Sequence, residues 1–532
     1  MSKSLKRNWV ILLFIFLTLV LRLWRLSDLF HFTYDEEIIA FVGKRMFVNG
    51  HIPLIGGVTP MHFHVAPYFY WLSGLFLYFS HLNPLGWGIA AAGIAVTTIF
   101  VLYKTGSSLF NKKIALLSVF FYTFSFYQNV FDRHYWGLVF DGMFSLLTLW
   151  SLHELLQGRH KYLLLLALVW FFGFHTDPSV LVLYLMTLLV FTFSYFVKKN
   201  QHVFFFKTKI NFFVSVLIGA FLLSLLPLAI FDVRHDFSNS RGILQYIAEV
   251  KTRHGGNIHT TIPDILLFLP RVVSRALFVA GDTDLARQYS YCPEHAVSRV
   301  EETPWWILIP IIIGFGYICY ITTKKSTPYV GSLRLLGFLF LSTYIGITLY
   351  GIIIKGDLFD HYLATLLPPF YLLVAYLLAQ FAKKWKLVVL ALLIIFALAN
   401  LHLLQNAHHR FGFSDKLAAV DWAIAETNDQ PFSLDVLSSC FRYNGYRYLF
   451  YLQGKEPAKS YVDANLTYLY DSPPAEKHTK YLVIFTNPNF VETEKYYQQY
   501  EAYKRKALRS STFGKIEVLL IDNSSFDFKV QF

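Results

Sequence analysis

The sequence predicts an α-helical polytopic membrane protein with about eleven transmembrane helices and a small extracytoplasmic α/β domain at its carboxy terminus. Three observations predict this. The 532 residues are 55% hydrophobic with mean hydropathy +0.44, and only 15% are charged, against roughly 25% in soluble domains. Apolar segments that span a bilayer, or nearly so, recur at 8–26, 86–103, 114–131, 137–156, 161–175, 178–197, 211–231, 304–322, 331–354, 361–381 and 386–404. With those eleven crossings, the basic loops all fall on one side.

The first segment follows Lys3, Lys6 and Arg7 and runs straight into Arg22, Trp24 and Arg25 with no small-residue cleavage site. It reads as a retained first helix rather than a signal peptide. Pro67–Phe79 is short, rich in Tyr, and broken by Ser73 and Gly74. If it does not cross, the clusters at Lys104/Lys112/Lys113, Arg159/Lys161, Lys198/Lys199, Lys324/Lys325 and Lys383/Lys384/Lys386 all lie inside, as the positive-inside bias requires. Pro67–Phe79 is therefore expected to lie at the interface or dip into it. The amino terminus is then cytoplasmic, and the outer face receives loops 27–85 and 232–303 and everything after the last span. The net charge of +13 follows from those inner loops, so no nucleic-acid partner is expected.

The chain divides into a membrane domain, 1–405, and a soluble piece, 406–532. In the latter Ser414 is placed to cap a helix through about Glu426. Phe432–Leu437, Tyr481–Phe485 and Ile516–Ile521 read as strands, and Val491–Leu508 as a helix. Of the three cysteines, Cys319 lies in an apolar run, which leaves Cys292 and Cys440 as the conceivable pair.

Chemistry is expected in the outer loops. Thr33-Tyr34-Asp35-Glu36-Glu37 places three acids beside the membrane boundary. Acids in a first helical turn suit the positive helix end; a carboxylate there also suits a general base for an acceptor hydroxyl, with Asp35 and Glu36 as the catalytic candidates. Donor-phosphate candidates are the groups that stand on the outer side: Arg133 of Asp132-Arg133-His134, His175, Arg234 and His235 of Asp232-Val233-Arg234-His235-Asp236, and His361 with Tyr362. Structural readings stand beside these. Asp132 neutralises Arg133, Asp177 caps the helix begun by Pro178, and Tyr362 is a belt residue. Arg22 reads either as a snorkelling side chain or as a lipid-phosphate contact. Asp141, His62 and His64 complete the candidates. His62 and His64, two apart without further ligands, are weak as a metal pair, and no metal site is assigned.

In order and sidedness these motifs resemble the GT-C superfamily of membrane glycosyltransferases, in the branch that holds protein O-mannosyltransferases and the lipid A aminoarabinose transferase. Leu21-Arg22-Leu23 followed by Asp35-Glu36-Glu37-Ile38-Ile39-Ala40 resembles the family's first-loop acidic motif. Pro67-Tyr68-Phe69-Tyr70-Trp71-Leu72 resembles its aromatic juxtamembrane helix, Arg133 with Asp141 an Arg-to-Asp element, and His361-Tyr362-Leu363 through Pro368 its late helix. Met61-His62-Phe63-His64 departs from the family's small or Pro-rich stretch. Asp177 stands where the family has a histidine, with His175 two residues earlier. The resemblance implies inverting transfer of a hexose or pentose from a polyprenyl-phosphate donor to a lipid, glycan or protein hydroxyl at the extracytoplasmic face. Asp35 occupies the place of the activating carboxylate and Glu36 that of its neighbour. No cofactor is required, although a divalent cation is compatible. Two other classes fit a polytopic chain. A transporter or flippase of lipid-linked sugars predicts internal repeats and polar residues in mid-span, and a surface-polysaccharide ligase or polymerase predicts chemistry in the loop after Phe231.

Overall fold

A computed structural model of the chain describes residues 3–57, 63–196, 201–252, 262–279, 283–285, 303–324, 327–353, 358–437, 444–463, 469, 479–488 and 494–523. His62, Cys292 and Cys440 lie outside the described residues; Cys319 is an exposed free thiol.

Helix α1 (Lys3–Leu23) leads through α2 (Leu26–Leu29) into the first loop and α3 (Tyr34–Val48). A capping box starts α3: the Glu36 carboxylate accepts from both the backbone N–H and the hydroxyl of Thr33, so the turn holding the three acids is anchored at its first residue. Helix α4 (Tyr68–Phe79) has 12 residues, about 18 Å of helix against a hydrocarbon core of ~30 Å. It lies against α3 through two glycines. A Cβ on Gly43 would come within 2.9 Å of the Gly74 Cα, so this close crossing depends on neither residue having a side chain.

The bundle continues as α5 (Leu85–Leu109), α6 (Lys112–Phe124), α7 (Phe126–Phe131), α8 (Asp141–Leu156), α9 (Tyr162–Thr176), α10 (Leu181–Phe196), α11 (Gln201–Ser224) and α12 (Leu226–Arg234). At the break between α6 and α7 side chains take up backbone amides. Asn400 accepts the Phe126 N–H at 2.7 Å, and the Ser125 hydroxyl accepts that of Gln128. Helices α13 (Ser238–Thr252) and α14 (Ile262–Arg275) follow, then Trp305–Thr323, Val330–Thr348, Leu367–Phe381 and Lys386–Gln405. All eleven apolar segments are helical over most of their length. Six of the described helices are long and apolar enough to cross a membrane, or seven if α11 and α12, bent by 45° at Leu225, form one span; the apolar stretches Trp9–Leu23 and Tyr162–Thr176 are shorter. By length and composition, then, eleven crossings are not established.

The carboxy-terminal unit is the small α/β domain that was expected, with corrections. Its first helix, Phe413–Thr427, has Gly412 as N-cap, and the Ser414 hydroxyl bonds Asp28 at 3.2 Å instead of capping. The five strands are β1 (Phe432–Leu437), β2 (Lys459–Ser460), β3 (Tyr481–Thr486), β4 (Ala507–Phe513) and β5 (Ile516–Asp522), in the order β2-β1-β3-β5-β4. β1 runs parallel to β2 and β3, while β5 is antiparallel to β3 and β4. The late helix ends at Lys506, and the chain turns directly into β4. β4 is an edge strand whose alternating Arg, Ser and Thr residues hide its strand pattern in sequence.

Candidate active site

The acid turn divides its labour. Asp35 is exposed on the first turn of α3. Glu36 and Glu37 are buried. Besides capping, Glu36 holds His134 of the loop after α7, with 2.6 Å between Oε1 and Nε2. Glu37 faces the carboxy-terminal domain, where it accepts from the Tyr448 N–H at 2.8 Å and the Tyr461 hydroxyl at 3.3 Å. Lys416, also buried, donates to the carbonyls of Phe32 and Asn444 at 2.6 Å each. Burial pushes the Glu37 carboxyl up to about 7 and the Lys416 ammonium down to about 7. Each is a charge made costly by desolvation and partly restored by its neighbours.

Two arginines prove to be framework. Arg22 neither snorkels nor faces a headgroup. It is buried, paired through Nε and Nη2 with Asp132 at 3.0 and 2.8 Å, and bonded to the carbonyls of Thr123 and Tyr122. Asp132 therefore neutralises Arg22 and not Arg133. Arg133 is buried as well, and donates to the carbonyls of Trp24 and Leu21 at the end of α1 at 2.8 and 2.5 Å. That fork satisfies orphan carbonyls of a helix end, so Arg133 is not free for the bidentate phosphate contact expected of it.

A run of neighbouring rings, of which only His134 and Trp136 are stacked, leads from the carboxy-terminal domain into the membrane domain. His409 and His31 have centroids 5.2 Å apart, His31 and His134 4.4 Å, His134 and Trp136 4.1 Å, and Trp136 and His361 5.0 Å. The structure thus brings His361 to the loop after α7, with Tyr362 beside it at 4.8 Å. His361 follows Asp360, which is ion-paired with Arg275 at 2.6 Å. The first loop also meets the segment after α12, where the His64 N–H donates to Asn239 at 2.6 Å. Arg234 and His235 are exposed there. Asp232, expected to line a site, is buried and accepts from the Asn239 N–H and the Ser240 hydroxyl.

His175 and Asp141 are not part of this ladder. His175 stacks on Tyr68 at 4.1 Å. Asp141 is buried at the start of α8 and accepts from the Ser179 hydroxyl at 2.7 Å, and Asp177 caps the turn after α9 by accepting the Ser179 N–H. Donor atoms of His31, Glu36 and His134 lie within 4.8 Å of one another, a set of the kind that holds zinc. Sequence reasoning passed over His31, Lys416 and His409. His409 carried one legible signal: with His408 and Arg410 it forms a polar run immediately after the last apolar segment.

The family model of dolichyl-phosphate-mannose-protein mannosyltransferases matches residues 64–228; Arg133, Asp141 and His175 fall inside that range and Asp35 outside it. No curated protein sequence matches. Among solved structures, the chain is similar to ArnT from Cupriavidus metallidurans bound to undecaprenyl phosphate, with TM-score 0.57 and 12% identity over 98% of this chain and 100% of that one. It is also similar to the archaeal oligosaccharyltransferase AglB from Archaeoglobus fulgidus in complex with an inhibitory peptide and a dolichol-phosphate. There the TM-score is 0.50 and the identity 13%, over 100% of this chain and 76% of that one. Both are GT-C glycosyltransferases. The chain is an integral membrane protein with the fold of the GT-C superfamily of membrane glycosyltransferases.

Proposed function

We propose that this protein is an inverting glycosyltransferase. It moves a sugar from a polyprenyl-phosphate donor to a hydroxyl of a lipid, glycan or protein at the extracytoplasmic membrane face. The observation that carries the reading is the division within the acid turn: Glu36 and Glu37 are buried, while Asp35 is exposed on the same capped turn. A carboxylate held this way is placed to take the acceptor's proton. The acceptor oxygen bonds to C1 of the sugar as the bond from C1 to the phosphate oxygen breaks. The electron pair leaves with the polyprenyl phosphate, and the proton ends on Asp35. Because Arg133 is engaged with α1, the leaving phosphate falls to the exposed cations of the segment beside the first loop, Arg234 and Arg241. The match to the mannosyltransferase family and the polyprenyl and dolichol phosphates bound by ArnT and AglB support this donor class.

The test is to incubate the purified full-length protein with radiolabelled polyprenyl-phosphate sugars and membrane acceptors. Transfer of label with release of polyprenyl phosphate and inversion at C1 is expected. Movement of intact donor across vesicles without cleavage would replace this reading with the flippase.

A further inference from the structure

The protons of the buried cluster beneath Asp35 are fixed by a single peptide group. The Phe411 N–H donates to Nδ1 of His409 at 3.0 Å, so that nitrogen presents a lone pair. A neutral imidazole carries one proton, and in His409 it therefore sits on Nε2. That atom is 2.9 Å from Nδ1 of His31, which accepts, and the proton of His31 is thereby assigned to its own Nε2. This nitrogen lies 3.4 Å from the Thr33 hydroxyl. The hydroxyl donates to Glu36 Oε2 at 2.7 Å, and the other carboxylate oxygen of Glu36 meets His134 Nε2 at 2.6 Å. Every bond from Phe411 to Glu36 runs in one direction. Burial keeps both histidines neutral, drawing His409 down to about 3 and His31 well below its usual range.

The same proton count bears on a cation. His31 turns a hydrogen toward Thr33, and its lone pair is taken by His409. Arg133 lines the small cavity it shares with His31, His134 and His409. The cluster is arranged to pass hydrogen bonds in one direction, and an ion at this place would first have to reverse them.

We propose that His409 is a positioning residue: acting through His31 and Thr33, it fixes Glu36 and so the first turn of α3, making the seated carboxy-terminal domain a condition of catalysis. The catalytic part of this inference rests on the reading of Asp35 as the base. The domain also grips the neighbouring residues, through Tyr448 and Tyr461 on Glu37 and Lys416 on the Phe32 carbonyl. Both grips converge on residues 32–37.

Two substitutions in the full-length protein separate positioning from bulk. In His409→Gln the side-chain amide reaches the place of Nε2 and still donates to His31. In His409→Asn the carbonyl takes the place of Nδ1 and keeps the Phe411 bond, but no donor reaches His31. We expect His409→Asn to lower kcat about 10- to 100-fold, as a misplaced catalytic group does, with KM for the polyprenyl-phosphate donor unchanged, and His409→Gln to recover most of the turnover. Amide hydrogen exchange over 33–37 should quicken with Asn and stay slow with Gln, whatever the assay of activity gives. Equal exchange in the two variants would overturn the positioning claim, as would parallel losses of kcat and unfolding temperature that Gln does not recover. If exchange divides as expected while Asp35→Asn retains turnover, the positioning of the turn stands and the assignment of Asp35 as base fails.

Discussion

A guanidinium at the outer end of a first span reads in sequence as a headgroup contact, yet Arg22 is among the most buried side chains of the molecule. Its charge is tolerable because Asp132 accepts from it twice and two carbonyls take two more of its donors. Removing one partner of such a pair leaves the other as an uncompensated buried charge, at a cost of about 3–5 kcal/mol. Arg22→Ala should therefore sharply lower the unfolding temperature in detergent, while Arg234→Ala, at an exposed position, should leave it unchanged. Replacing Arg234 should instead raise KM for the donor, if it meets the phosphate. Residue type and neighbourhood in the chain did not separate these two arginines. Arg22 is 110 residues from Asp132, and only the fold brings them together.

At the level of elements, the acid turn was legible as three consecutive acids beside the first apolar segment, although the capping-box spacing of Thr33 and Glu36 that starts α3 went unread. That local signal needs no tertiary knowledge. The helix at Tyr68–Phe79 was legible from its short, Tyr-rich apolar run. The strand at Ala507–Phe513 was hidden, because an edge strand buries little and its composition is polar. The contact between the domains could not be read at all. It depends on Gly445, which adopts φ +101° and would place a Cβ 2.8 Å from the Thr33 carbonyl carbon. Gly445→Ala imposes backbone strain of about 1–3 kcal/mol in addition to that clash. It should loosen the carboxy-terminal domain from the acid turn, seen as faster proteolysis between residues 406 and 447 and reduced transfer.

Over the whole molecule, the carboxy-terminal domain packs against the acid turn, and buried groups on both sides of that joint set how the protein responds to acid. An unfolded histidine takes a proton near pH 6.5, but burial keeps His409 neutral down to about 3 and His31 neutral well below its usual range. Between those values the unfolded chain binds more protons than the fold, so stability is lost as pH falls below about 6.5. Glu37 acts the other way. Its carboxyl is raised from 4.5 to about 7, so the fold holds its proton first and gains on acidification within that window. His134 adds to the histidine side and Asp132 and Asp177 to the acid side, so the share of His409 is read from the change in unfolding temperature between pH 7 and pH 5, which its buried neutral imidazole pushes toward a loss at pH 5. His409→Gln should narrow the difference. Class and membrane character were visible in composition and sequence order, because lipid imposes long apolar runs and a sided charge pattern. The joint between the domains was not, because it is made by backbone groups and isolated side chains hundreds of residues apart, such as Glu37 and Tyr448.

The most direct measurement compares sugar transfer from a polyprenyl-phosphate donor by the wild-type protein and by Asp35→Asn, with unfolding temperature read on the same samples. Loss of a general base predicts turnover lower by about 10²- to 10⁴-fold, with the unfolding temperature unchanged because Asp35 is exposed and the capping box belongs to Thr33 and Glu36. Turnover within a few-fold of wild type would contradict the account and move the search for the base away from the acid turn.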